Sequence, residues 1–212
     1  MLKTSLQIIL QSLAELAPRI VEYSLNEGAT PEDFENLEMV IKNKLPDDFK
    51  ELYKTHNGLN NEDNWGNFFY GMPFFSIADI ITECEFRSNQ SKNIALISLN
   101  TFDPQIDGSN IYNLNWLSIG SGSDCNLFVD LAPSNKGSYG QVIFIDETYR
   151  VGILVANSVS ELVVNFATDL KNNLYSLNSD ALEDGQHFLE TDSSIDLANW
   201  FNVDKWKHLD EK

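Results

Sequence analysis

Residues 120–124, Gly-Ser-Gly-Ser-Asp, are the part of this sequence that looks most like a phosphate-binding loop. A P-loop has the order G-x-x-x-x-G-K-[ST], and its lysine and a following helix N-terminus hold the phosphates. Here no lysine follows, and the next residues, NLFVDL, are typical of a β-strand. The segment therefore predicts a tight turn between two strands, and nucleotide binding is not expected.

Asp124 and Asp130 are the nearest approach to a carboxylate pair for acid–base catalysis. On a strand over 127–131, Asp130 shares a face with Phe128, and nothing in the spacing brings Asp124 beside it. The sequence has no G-x-S-x-G elbow, and neither cysteine has a histidine at a recognisable offset. We expect no catalytic residues. The alternative, an enzyme whose site is assembled from distant residues, requires a deep pocket with converging ionisable groups.

The two cysteines, Cys84 and Cys125, match no zinc spacing and form no disulfide framework. The three histidines, His56, His187 and His208, are scattered and form no metal-binding pattern. We therefore expect no metal and no cofactor. Unpaired, reduced cysteines are typical of a cytoplasmic protein.

Acidic residues dominate the charge of the chain. Its 212 residues include 14 Lys plus Arg and 32 Asp plus Glu, a formal net charge of -18. Such a chain repels phosphate backbones and anionic lipids, so we expect neither nucleic acid nor a membrane as partner. Two interpretations stay open, a well-solvated acidic surface and an acidic face that binds a basic protein.

Four helices are predicted in the first half of the chain. Apolar residues recur at helical spacing from Leu2 to Leu16, which indicates an amphipathic helix over 2–25, bent near Pro18, and not a signal peptide. Thr30-Pro31 and Leu45-Pro46 begin the next two helices, because such pairs suit the first turn. Another begins at Ser76 and runs to Phe86, and residues 87–93 are expected to be exposed.

From residue 94 onward the pattern changes to strands, whose close spacing favours antiparallel pairing. A last helix is predicted over 158–174. The predicted strands are Ile94–Leu99, Trp116–Ile119, Leu127–Leu131, Gln141–Ile145 and Val151–Ala156.

The chain changes composition near residue 177. We predict one domain over 1–177 and an acidic extension over 178–212, with a terminal helix from Ile195 to Leu209. Trp200 and Trp206 carry large apolar areas that must be buried. They either dock on the domain itself or bind another protein.

Five segments in order are similar to the SUKH superfamily, also called the Smi/Knr family. The resemblance covers residues 20–175, and the tail lies outside it. Ser118 stands where the family usually has proline, and Cys125-Asn126 replaces a Gly-Asp pair. The matching segments are LPDDFKELYKTHNG at 45–58, GMPFFSIADI at 71–80, WLSIG at 116–120 with the strand 124–131, GQV at 140–142 and the helix 159–170.

This resemblance implies an α+β fold, a mainly antiparallel sheet with helices packed against it. Fungal relatives are cell-wall assembly regulators that act through protein contacts. Many bacterial relatives are immunity proteins that neutralise polymorphic toxins, often nucleases. The family is not known for catalysis, which agrees with the missing catalytic motifs.

Our leading hypothesis is a cytoplasmic immunity protein that occludes a basic partner, a cognate toxin such as a nuclease. Acidic charge would speed capture of such a partner, and added salt would weaken it. The second hypothesis is a regulatory scaffold without a toxin. The candidate partner-binding residues are Glu62, Asp63, Trp65, Asp124 and Tyr139.

Overall fold

The computed structural model describes residues 2–93 and 96–207 and has an α+β fold. The helices are α1 (Leu2–Leu16), α2 (Pro31–Ile41), α3 (Asp47–Thr55), α4 (Ile77–Asn93), α5 (Val159–Lys171) and α6 (Ser179–Glu183). The strands are β1 (Thr101–Phe102), β2 (Trp116–Ser121), β3 (Cys125–Asp130), β4 (Gln141–Asp146), β5 (Val151–Ala156), β6 (Tyr175–Leu177) and β7 (Leu189–Thr191).

Five strands form the main sheet, in the order β1-β5-β4-β3-β2. Neighbours from β2 to β5 pair antiparallel, and β1 pairs parallel to β5. Within the segment 120–124, Gly120 and Ser121 end β2, and residues 122–124 form the predicted turn to β3. β6 and β7 pair separately, so this small hairpin spans the boundary predicted near residue 177.

The local signals for the helices are confirmed. Thr30 and Asp33 form a reciprocal capping box at the start of α2, and Ser76 makes the same contacts with Asp79 before α4. A π-helix over Ile20–Ser24 follows the break at Pro18. Gly58 has φ +73, as expected for the glycine that turns the chain after α3.

Both faces of the sheet are buried. Side chains such as Phe144 and Val129 face the main core, where α1, α3 and α5 pack. Alternate residues such as Phe128 and Ile143 belong to a second core, together with Leu99 and Ile111 from the long connection before β2. The irregular residues on both sides of β1, 96–100 and 103–115, cover this second face, and β4 is consequently buried at every position.

Three predicted elements differ from the structure. Residues 87–93 continue α4, and Asn89 and Lys92 are exposed as predicted, but Arg87 is buried with its guanidinium donating to the Ile111 carbonyl. The sequence predicts a strand over 94–99, but residues 96–99 have irregular backbone. Leu99 packs into the second core without strand pairing. Residues 94 and 95 lie outside the described residues.

The terminal helix predicted over 195–209 is replaced, within 195–207, by turns and one 3-10 turn at Trp200–Asn202. Residues 208–212, including His208, lie outside the described residues. Trp200 and Trp206 are both 4% exposed and belong to the main core. The tryptophans of the extension therefore dock on the chain's own domain, the first of the two interpretations.

Candidate protein-binding surface

The loop over 61–66 has a fixed backbone although most of its side chains are exposed. Asn64 is its buried anchor, and its amide nitrogen donates to Ser24 Oγ at 2.9 Å. Ser24 in turn donates to the Asn64 carbonyl at 2.9 Å. Gly66 lies against the same serine, since a Cβ there would be 2.8 Å from Ser24 Oγ. The loop is therefore held on the π-helix that contains Ser24.

Two asparagines of the loop region join it to the C-terminal extension. The side-chain oxygen of Asn64 accepts from the His187 amide at 2.7 Å, and its nitrogen donates to the His187 carbonyl at 3.2 Å. Asn67 makes the same pair of bonds with Leu189, at 2.6 Å and 2.7 Å. Each asparagine side chain thus pairs with the backbone N–H and C=O of one extension residue, as a neighbouring β-strand would. These bonds fix the loop and the extension to each other.

Trp65 is the most exposed aromatic side chain among the described residues, at 69%. Its backbone N–H donates to Gln186 Oε1 at 2.7 Å, so its position is set by the extension. A large aromatic side chain on a fixed backbone loses little conformational entropy on binding, and tryptophan is enriched among residues that dominate binding energy. Trp65 is therefore well suited to anchor a partner.

Glu62 and Asp63 are exposed beside Trp65, and neither carboxylate has an ion pair within the described ranges. The Asp63 carbonyl accepts from the Arg19 guanidinium at 2.7 Å, which orders this part of the loop. The nearby helix α6 adds further exposed carboxylates. We define the acidic loop face as Glu62, Asp63 and Trp65 together with Asp180, Glu183 and Asp184.

Asp124 and Tyr139 lie away from each other. β3 separates them, since Asp124 precedes Cys125 at one end and Tyr139 lies near Asp130 at the other. Six strand residues correspond to about 20 Å. Tyr139 is 47% exposed, but its hydroxyl donates to the Lys44 carbonyl. The structure thus brings together Glu62, Asp63 and Trp65 but not Asp124 or Tyr139.

One feature of the surface has no counterpart in the sequence prediction. Next to Asp124, the extension and the β4–β5 turn bring the exposed rings of Tyr149 and Phe201 together, with centroids 6.1 Å apart. The sequence signal for this aromatic pair is the presence of two tryptophans in the extension, since their burial requires that the extension fold back onto the domain.

Carboxyl groups with a raised pKa lie at three different places. Burial raises the pKa of Asp130 at the end of β3, of Glu83 on α4 and of Asp169 on α5. Asp130 accepts from Gln141 Nε2 at 2.9 Å and from the Ala132 amide at 2.8 Å, which holds the turn after β3. Each of these shifts thus belongs to local packing.

The described residues form no metal-binding group and no membrane-spanning helix. Within residues 2–93 and 96–207, no group of three His, Cys, Asp or Glu side chains is placed to hold a metal ion. Of the helices in the described part of the chain, none has the length and apolar character needed to cross a membrane.

Comparison with known proteins identifies a family. The sequence model of the SMI1/KNR4 family (SUKH-1) matches residues 28–165, more than half of the chain. The chain is also 23% identical over 196 residues to the cell wall biosynthesis/cell cycle regulator smi1 of Schizosaccharomyces pombe. That alignment covers 86% of this chain and 37% of the relative, so the chain spans little more than a third of the relative's length.

Proposed function

Because the chain belongs to the SMI1/KNR4 family (SUKH-1), we propose that it acts by binding another protein through the acidic loop face and catalyses no reaction. The observation that carries this proposal is Trp65. It is 69% exposed, its backbone is hydrogen-bonded to the extension, and two carboxylates without ion pairs in the described residues flank it. An anchor ring surrounded by charge suits recognition of a basic surface.

Electrostatics supports a basic partner. A net charge of -18 creates a field that attracts a basic protein before contact. Complementary charge raises association rates toward roughly 10⁸ M⁻¹s⁻¹ at low salt. The exposed acids Asp180, Glu183 and Asp184 closely precede Gln186 in the chain, and the Gln186 side chain binds the Trp65 backbone, so they add negative charge near the loop that carries Trp65.

The finer form of the proposal is an immunity protein that neutralises a cognate toxin in the cytoplasm. A nuclease toxin must carry a basic groove for its substrate. An acidic surface with a protruding aromatic ring would cover such a groove and exclude nucleic acid from it. Neutralisation then needs occlusion alone, and no substrate has to be transformed.

A second candidate is a regulatory scaffold. The observation that favours it is the relative in Schizosaccharomyces pombe, which is named as a cell wall biosynthesis and cell cycle regulator. Under this alternative the same acidic loop face recruits a partner that is not a toxin. The position of the gene distinguishes the two, because an immunity gene should lie directly downstream of a toxin gene.

Capture from the native host tests the proposal. Tagged protein should co-purify a basic partner, and the variant Glu62→Gln/Asp63→Asn should weaken that binding about tenfold. Glu15→Gln/Glu35→Gln removes two exposed charges from α1 and α2, outside the loop, and serves as the matched control. Equal binding by both variants would contradict the role of the acidic loop face.

Co-expression with the captured partner tests whether the chain is an immunity protein. If the partner is a toxin, expression of the chain should restore growth to cells that produce it, and Trp65→Ala should fail to do so. A partner that causes no toxicity when expressed alone would instead support the scaffold.

A further inference from the structure

A cavity of about 500 Å³ opens on the surface beside Asp124. Its walls come from four separate segments: the β2–β3 turn, the β4–β5 turn, the 3-10 turn at Phe69–Gly71 and the C-terminal extension. Because the extension supplies one wall, the cavity forms only when that segment is docked. Side chains that matter for its chemistry are Asp124, Asp146 and Tyr149.

The ring of Tyr149 lies at one rim of the cavity, and two further aromatic rings support it. Tyr149 lines the cavity and is 57% exposed, and Phe201 packs against Tyr149 while remaining 39% exposed. Trp200 lies behind both rings, 5.8 Å from Phe201 and 6.5 Å from Tyr149 between centroids. Its indole N–H donates to Asp146 Oδ2 at 3.1 Å, which fixes the group. The exposed rings are thus held in place before any ligand binds.

The cavity is also negatively charged. Asp124 is exposed at its edge and has no ion pair within the described ranges. The turn that carries Asp124 is fixed, because its carbonyl accepts from the Glu147 amide at 2.9 Å. Asp146 places a second, 7% exposed carboxylate in the wall, where it adds charge while its oxygens accept from the Tyr149 amide at 2.9 Å and from the Trp200 indole. None of the described residues that line the cavity is a lysine or an arginine, so none of them neutralises this charge.

We propose that this cavity receives an arginine side chain of the partner protein. The inference rests on the proposed function, since it adds a specific contact to the binding of a basic partner. A guanidinium is planar, stacks on aromatic faces and donates several hydrogen bonds to carboxylates. Lysine can supply the charge but not the planar stack, so the exposed ring of Tyr149, which Phe201 packs against, favours arginine.

Synthetic peptides test this directly on the full chain. Hexa-arginine should bind more tightly than hexa-lysine by about fivefold, and neutral hexa-citrulline should not bind measurably. Asp124→Asn should weaken hexa-arginine binding about tenfold, whereas the control Glu35→Gln should change it less than about twofold. Tyr149→Ala should remove the preference for arginine over lysine, and Tyr149→Phe should keep it.

Equal affinity for the arginine and lysine peptides, with equal losses in Asp124→Asn and Glu35→Gln, would overturn the inference. That result would mean that general charge attraction alone holds the peptides, and the proposed function would still stand. The proposed function fails separately, if a captured partner binds Glu62→Gln/Asp63→Asn and the parent chain equally. Circular dichroism of Tyr149→Ala checks that the fold is intact, and Phe201→Ala provides a second variant of the same rim.

Discussion

Replacing Trp206 with alanine should destabilise the protein strongly, although the residue lies in the last part of the described chain. Its indole is 4% exposed, packs edge-on to the Tyr70 ring at 5.8 Å and donates to the Ile195 carbonyl at 3.3 Å. Removal of a buried tryptophan costs about 3–5 kcal/mol. For a protein of this size each kcal/mol lowers Tm by about 2–4 °C, so Tm should fall by about 6–20 °C.

The same substitution at Trp65 should behave in the opposite way. Its side chain is 69% exposed and its recorded hydrogen bond is made by the backbone, which alanine retains. Trp65→Ala should therefore change the free energy of unfolding by no more than about 0.5 kcal/mol. Its effect should fall on partner binding, by about 2 kcal/mol if Trp65 is the anchor.

Urea unfolding followed by circular dichroism measures both variants without relying on tryptophan fluorescence. The reasoning is refuted if Trp206→Ala costs less than about 1 kcal/mol, because the extension would then not be packed as the structure shows. It is equally refuted if Trp65→Ala is as destabilising as Trp206→Ala, since Trp65 would then be a structural residue.

Three further changes test individual contacts by urea unfolding or hydrogen exchange. Hydrogen bonds from two lysine ammonium groups and a backbone amide lower the pKa of Glu38 to about 2. The ionised form of Glu38 therefore stabilises the fold. Glu38→Gln should lower the free energy of unfolding by about 1 kcal/mol at neutral pH, and by less as the pH falls from 4.5 toward 2. A loss of stability that does not change with pH would contradict this. Asn67→Ala should lower the free energy of unfolding by about 3 kcal/mol and speed hydrogen exchange of the Leu189 amide, because the backbone N–H and C=O of Leu189 lose their partner. Unchanged exchange would show that Asn67 does not hold the extension in place. Gly58→Ala should lower the free energy of unfolding by about 2 kcal/mol or more, since φ is +73 and a Cβ would lie 2.3 Å from the Ser76 nitrogen. An unchanged free energy of unfolding would disprove that crowding.

Periodicity and end signals predicted much of the fold. The helix starts at Thr30 and Ser76 and the four strands from Trp116 to Ala156 follow from residues close in sequence, whose capping and alternation leave a readable pattern. The family resemblance then placed these elements in an α+β arrangement.

Contacts between distant residues left no such pattern. Buried Arg87 binds the Ile111 carbonyl in the segment that packs on the second face of the sheet. In the sequence, Arg87 begins a polar stretch after Phe86 and looks like an ordinary exposed residue. Likewise, the bonds from Asn64 and Asn67 to the extension join positions more than a hundred residues apart. Amide side chains at such separations look like ordinary loop residues, so the pairing of loop and extension could be found only from the structure.

The salt dependence of partner binding measures how far charge attraction at the acidic loop face holds the partner. The affinity of the full chain for the protein captured from its host should be measured between about 50 mM and about 500 mM NaCl, where the Debye length falls several-fold. The account predicts a steep loss of affinity and a shallower slope for Glu62→Gln/Asp63→Asn. An affinity that stays constant over this range, with the same slope for both proteins, would contradict it.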